Sequence, residues 1–345
     1  MSDAEQVSDV PSAALAGLAA HTPWLANARQ RVATALRAGR LPHGLLVYGS
    51  PGVGQTPLAW WIAQLLFCQG QGLGPCGQCD DCVLFSAGTH PDLHYVGREE
   101  KATVIRVEQV RELGVSLTGK SFRGGYRVGI IDPVDLMNTN SYNAFLKTLE
   151  EPGERLALIL VAQRTERIPA TIQSRCQRVH VPGPPRDEAL SWLRSTVDAK
   201  TDWPAYLEDC GGAPFAAMEA AGAGEPVGPE MELHLFDSRT TPDPMSLAQV
   251  WSKDRPAARL RWLELRLQRA ISELAEMSDE VNNNPRNRLK NSAARRNIRH
   301  TFVLLDEVRR ARQLEAGPAN PLLLWENLLV GFLPATRQAT RRDDR

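Results

Sequence analysis

The sequence has no net charge, no long apolar run and no tract of low complexity. Its 40 Lys+Arg equal its 40 Asp+Glu, so bulk electrostatics is not what holds it to nucleic acid, although a local basic patch can still meet phosphates. No stretch approaches the roughly 20 apolar residues that span a bilayer. The opening Met1-Ser-Asp-Ala-Glu5 is acidic where a secretory leader is basic, and no greasy segment follows it; a cytoplasmic location without membrane association is expected. Disorder needs low hydrophobicity with high net charge, and 43% hydrophobic residues exclude it. Internal repeats are absent as well.

Cysteine is scarce except in one place. Four of the six, Cys68, Cys76, Cys79 and Cys82, fall within fifteen positions, and Cys176 and Cys210 stand apart. In a reducing compartment such a cluster reads as a metal site before a disulfide framework. The spacing C-x7-C-x2-C-x2-C supplies four thiolates, and Gly72, Gly74, Pro75 and Gly77 let the chain fold around an ion. The set suits a closed, structural zinc tetrahedron with no position left for a reactive water. A C-x-x-C redox centre uses two cysteines and leaves the others unexplained.

Pro/Gly-rich punctuation cuts the chain into three blocks. Short apolar runs at Gly44–Tyr48, Val128–Ile131 and Ala157–Val161 alternate with helical patterns, which predicts an α/β domain whose parallel sheet is buried on both faces. Val181-Pro-Gly-Pro-Pro185 ends this block. Short helical patterns follow, and the region from Pro244 reads as helical throughout. There Leu260, Leu263, Leu267, Ile271 and Leu274 form one apolar face. The expected division is 1–183 (α/β, with the cysteine insertion at 68–82), 184–240 (small helical lid), 241–335 (helical collar) and a tail at 336–345. A basic stretch, Arg286 to Arg299, holds six cations and no acid; it is a solvated face or a contact for an anionic partner.

Gly49-Ser-Pro-Gly-Val-Gly-Gln-Thr56 lies between a strand and a helix, the context that the phosphate loop G-x-x-x-x-G-K-[ST] requires. Gly49, Gly52, Gly54 and Thr56 fit the pattern. Gln55 replaces the lysine, and a neutral amide supplies no Coulombic attraction to phosphates. Pro57 removes a further N–H. Asp132 ends the strand Val128–Ile131, at the place of a magnesium-holding acid, but Pro133 after it can neither act as a base nor orient water.

Asn143-Ala-Phe-Leu-Lys-Thr-Leu-Glu-Glu-Pro152, Ile168-Pro-Ala-Thr-Ile-Gln-Ser-Arg-Cys-Gln177, Leu41-Pro-His-Gly44 and Asn320-Pro-Leu-Leu-Leu-Trp-Glu-Asn-Leu-Leu329 together resemble the clamp-loader branch of the AAA+ ATPases. That resemblance implies an AAA+ P-loop-type domain, a helical lid and an oligomerising all-α collar. It also implies partners: gamma/tau and delta subunits in a hetero-pentamer that loads a sliding clamp onto primer-template DNA. Family ATPases carry glutamate at the place of Pro133, a threonine sensor at Gln163 and an arginine sensor at Phe215. These departures imply a subunit that does not hydrolyse ATP; whether its loop retains a nucleotide stays open. Ser174-Arg175-Cys176 matches the family motif whose arginine completes a neighbour's ATP site, with Cys176 a small buried neighbour and no nucleophile. Two rival readings stand beside this one, a weakly active ATPase motor and a zinc-dependent DNA-binding module.

Overall fold

The computed structural model describes residues 12–99, 102, 104–224, 226–235, 243–282, 288–315 and 319–340. Each predicted central run is a strand: β1 (Gly44–Tyr48), β3 (Arg127–Asp132) and β4 (Leu156–Ala162). They are joined by β2 (Leu93–Gly97) and β5 (Gln177–His180). The five strands form one sheet in the order β2-β3-β4-β1-β5, and every pairing is parallel, with Leu46 opposite Leu160 and Ile130 opposite Ile159. All residues of β3 and β4 are buried, as expected of parallel strands covered on both faces.

The helices of this part are α1 (Ser12–Ala20), α2 (Ala26–Arg37), α3 (Gln55–Phe67), α4 (Asp80–Ser86), α5 (Val107–Ser116), α6 (Thr139–Glu150) and α7 (Ala170–Gln173). Nearly every residue of α3 is buried; a helix apolar all round belongs inside a core. On one side of the sheet Ile131, Leu158 and Leu160 pack with Val110, Leu113, Phe145 and Leu149 from α5 and α6.

The remaining helices are α8 (Arg186–Thr196), α9 (Trp203–Asp209), α10 (Pro214–Ala223), α11 (Gly228–Leu235), α12 (Pro244–Trp251), α13 (Pro256–Asn282), α14 (Arg288–Glu315) and α15 (Pro321–Thr340). The chain forms two compact units, Met1–Trp192 with Ala213–Phe215, and Leu193–Gly212 with Ala216–Arg345. In the second, Leu260, Leu263 and Leu267 are buried among Leu304, Val308, Trp325 and Leu328, and Ile271 packs against them. The predicted stripe on α13 is therefore internal core. Leu274 lies outside the residues whose side chains are described, as do 286–298 of the basic stretch. Helix α15 runs on to Thr340, so the stretch expected as a tail from 336 begins as helix; Ala335, Arg337, Gln338 and Ala339 are good helix formers.

Arg259 is 1% exposed, yet its guanidinium lies 2.9 Å from Glu230, 2.5 Å from Asp254 and 5.0 Å from the Trp251 ring. The Trp251 indole donates to Glu230 at 2.9 Å. A buried cation persists when it is paired and hydrogen-bonded in this way.

Candidate functional site

The segment Gly49–Thr56 is a tight loop leaving β1 and opening α3, with Gly54 at φ +115° in the left-handed region. Three of its backbone carbonyls accept from donors of the protein itself. The Gln55 amide, 4% exposed, turns back and donates to the Ser50 carbonyl at 2.7 Å. Trp24 Nε1 donates to the Val53 carbonyl at 2.8 Å, and the Phe215 N–H donates to the Gly52 carbonyl at 3.0 Å. The Phe215 ring presses on the loop so closely that a Cβ on Gly54 would sit 2.7 Å from its Cε2. Trp24, Trp192 and Phe215 surround one another at centroid separations of 5.2, 6.2 and 5.0 Å, a cluster of mutually tilted rings that favours edge contacts. Position 55 thus holds an amide turned onto the loop where a lysine would face phosphate.

Asp132 stands at the end of β3. Its Oδ2 accepts a 2.6 Å hydrogen bond from the Thr56 hydroxyl. Burial pushes its carboxyl up to about 6; the Thr56 bond opposes the rise, and the charge of Asp135 adds to it. Asp132 thus ties the loop helix α3 to β3. Asp135 accepts from the Gln163 N–H at 2.9 Å, so the structure brings the phosphate loop, Asp132, Gln163 and Phe215 into one region of the first unit.

Arg175 follows α7 just ahead of the edge strand β5, and its side chain is exposed. One guanidinium nitrogen lies 2.8 Å from the Glu150 carboxylate and another donates to the Thr171 carbonyl at 2.8 Å. Ser174 is exposed beside it. Cys176 is buried, and burial raises its thiol to about 11, the opposite of what a nucleophile needs. A Cβ on Gly44 would lie 3.0 Å from the Arg175 carbonyl and 3.2 Å from Cys176 Sγ, so glycine at the head of β1 gives this segment room.

The sulfurs of Cys68, Cys76, Cys79 and Cys82 lie within 4.8 Å of one another and could hold a metal ion. A zinc tetrahedron with bonds of about 2.3 Å has edges near ~3.8 Å, and the Cys76 and Cys82 sulfurs are 4.0 Å apart. Backbone donors converge on two of the sulfurs, from Gly70 and Cys76 on Cys68 (3.3 and 3.2 Å) and from Gln78 and Cys79 on Cys76 (3.5 and 3.4 Å). Such bonds favour thiolate: those from Gln78 and Cys79 lead in drawing the Cys76 thiol down to about 6. Cys79 precedes α4 and Cys82 sits in its first turn, so the two face the same point.

Several participants escape sequence reasoning. Trp24 and Trp192 complete the closure of the loop without any local motif. Glu150 anchors Arg175, and its only sequence signal is membership of the Leu149-Glu-Glu-Pro152 run.

A parallel sheet in which the loop strand and the acid-bearing strand flank a third fits an AAA+ P-loop-type domain, here with its lysine replaced and followed in sequence by a helical C-terminal part. Residues 24–185 match the family model described as "DNA polymerase III, delta subunit". The chain is 39% identical over 188 residues to DNA polymerase III subunit delta' of Pseudomonas aeruginosa, covering 53% of this chain and 56% of that protein. It is 32% identical over 252 residues to DNA polymerase III subunit delta' of Escherichia coli K12, covering 72% of this chain and 75% of that one. A solved gamma subunit-related protein of Thermotoga maritima matches at 15% identity and a TM-score of 0.38, over 88% of this chain and 99% of that chain. The chain belongs to the family of DNA polymerase III delta' subunits. It spans just over half the length of the Pseudomonas relative. Among the described residues no helix is long and apolar enough to cross a membrane.

Proposed function

We propose that the chain is the non-hydrolytic delta' subunit of a clamp loader. In this reading it is the rigid end of a hetero-pentamer with gamma/tau and delta subunits, which loads a sliding clamp onto primer-template DNA. Its own contribution to chemistry is Arg175, an arginine finger offered to the ATP site of a neighbouring subunit. The division into an α/β domain, a lid and a collar, and a structural zinc on Cys68, Cys76, Cys79 and Cys82, belong to the same proposal.

One observation carries it: position 55 of the loop holds a neutral amide turned back onto the Ser50 carbonyl in place of a cation, while the one arginine of the Ser174-Arg175-Cys176 motif is exposed and held in place by Glu150. A loop without a cation cannot offset the charge that spreads over phosphoryl oxygens, whereas a planar, permanently charged guanidinium suits that charge. An exposed guanidinium is accessible to a group brought from outside the chain. The rival ATPase motor would need the cation that Gln55 lacks.

The test is ATP hydrolysis and clamp loading by pentamers reconstituted with wild-type chain or Arg175→Ala. Arginine fingers contribute about 10³ to 10⁵ in rate, so hydrolysis at the one facing interface should collapse while assembly persists. Total turnover should then fall in part, since the other interfaces keep their own fingers. Arg175→Lys should rescue little, because a point charge lacks the bidentate fork. Fully assembled mutant complexes with unchanged hydrolysis and loading reject the finger.

A further inference from the structure

The cysteine cluster is joined to a distant loop by a chain of buried acids that none of the chemistry above uses. Asp81 lies between Cys79 and Cys82 on the first turn of α4. Its Oδ2 accepts from the Gln69 side chain at 2.8 Å, next to Cys68, and its Oδ1 accepts from Arg123 Nε at 2.7 Å. Arg123 belongs to the loop between α5 and β3. Asp92, 1% exposed, grips the same loop, accepting from the Phe122 N–H at 2.8 Å, the Arg123 N–H at 2.9 Å and the Ser121 hydroxyl at 2.8 Å. His90 lies between the two acids. Its ring stacks on Phe67 at 3.7 Å, its Nε2 is 3.7 Å from Asp81, and its Nδ1 accepts from the Asp92 N–H at 3.3 Å.

The loop so held has its own use for order. It carries Phe122, 84% exposed, where an apolar ring gains nothing from folding. Its residues Lys120, Ser121, Gly124 and Gly125 form one wall of a cavity of about 990 Å³. Helix α4 is only 7 residues long, so its first turn depends on tertiary contacts and not on its own propensity. A metal bound by residues flanking that turn would supply it.

We propose that the four-cysteine module is a positioning device for the loop at 121–123. Metal bound by Cys68, Cys76, Cys79 and Cys82 fixes the first turn of α4. Asp81 on that turn then holds Arg123, and the neighbouring Phe122 is presented to solvent in one conformation. The inference rests on the metal reading above and extends it from local stability to the order of a remote surface.

Hydrogen-exchange mass spectrometry on the full chain tests it, with zinc content measured in parallel. Four samples are compared: zinc-loaded and chelator-stripped wild type, and zinc-loaded and stripped Asp81→Asn. Losing the tether frees a charge-assisted hydrogen bond, so amides of the loop should exchange roughly tenfold faster in stripped wild type and in zinc-loaded Asp81→Asn. Stripping the variant should add little, re-addition of zinc should restore the wild type alone, and β1 and β4 should stay protected throughout as the folding control. A chain that takes up no zinc overturns both readings. A chain that takes up zinc, yet whose loop exchange ignores its removal or ignores Asp81→Asn, overturns only this one.

Discussion

Replacing Asp132 with asparagine should change how stability depends on pH. The wild-type carboxyl titrates at about 6 in the folded chain, against 3.8 for an ordinary aspartate. Its folded-state pKa is raised, so folding favours the protonated form. Stability on this account is fully present well below about pH 4 and is lost as pH rises through about 6. The difference of about 2 units corresponds to about 3 kcal/mol at about 1.4 kcal/mol per unit, with about half of it already lost at pH 5. Asparagine keeps the shape and can still accept the Thr56 hydroxyl bond through its amide oxygen, but it has no charge to bury. Urea denaturation of wild type and Asp132→Asn at intervals from pH 4 to pH 7.5 measures the difference at each step. Acid also releases thiolate-bound metal, but it does so in both proteins and cancels in the comparison. The variant should gain on the wild type by about 2 kcal/mol between pH 4 and pH 7.5, the first part of the loss lying below pH 4; a difference that stays flat refutes the reasoning.

Gly54→Ala should cost about 1 to 3 kcal/mol, since φ is +115° and the new Cβ would meet Phe215 Cε2 at 2.7 Å. With Phe215→Ala the two losses should sum to more than the double variant shows, because the collision disappears; strict additivity in denaturation midpoints would contradict the contact. Arg259→Ala should lose about 3 kcal/mol by removing the shared partner of Glu230 and Asp254 and opening a hole beside Trp251; a thermal-unfolding loss below about 1 kcal/mol would mean that the buried guanidinium contributes no net stability.

The parts of the fold visible in sequence are those whose signal is local. The strands β1, β3 and β4 announce themselves because burial on both faces leaves only apolar residues there. The edge strands do not: Gln177-Arg-Val-His180 buries a single side chain and Leu93-His-Tyr-Val-Gly97 is half polar, since an edge strand has one partner and one wet side. The phosphate loop and the cysteine cluster are compact motifs, and their geometry follows from their spacing. The family resemblance singles out Phe215, but its contact with Gly54 is not legible in the sequence. The Asp81–Arg123 pair and the Trp24–Trp192 contact likewise link distant stretches of chain, and nothing in either stretch encodes the other.

Phe215 also sets an order of events during synthesis. The first unit takes Ala213–Phe215 from beyond a long stretch that belongs to the second. A ribosome making about 5 to 20 residues per second therefore delivers all five strands before the aromatic ring that closes the loop. Until residue 215 emerges, Trp24 and Trp192 have a bare side and the Gly52 carbonyl lacks its donor. A fragment ended at Trp192 would keep that state permanently, with an unfilled aromatic niche exposed to water. A fragment meant to represent the first unit must therefore reach at least position 215.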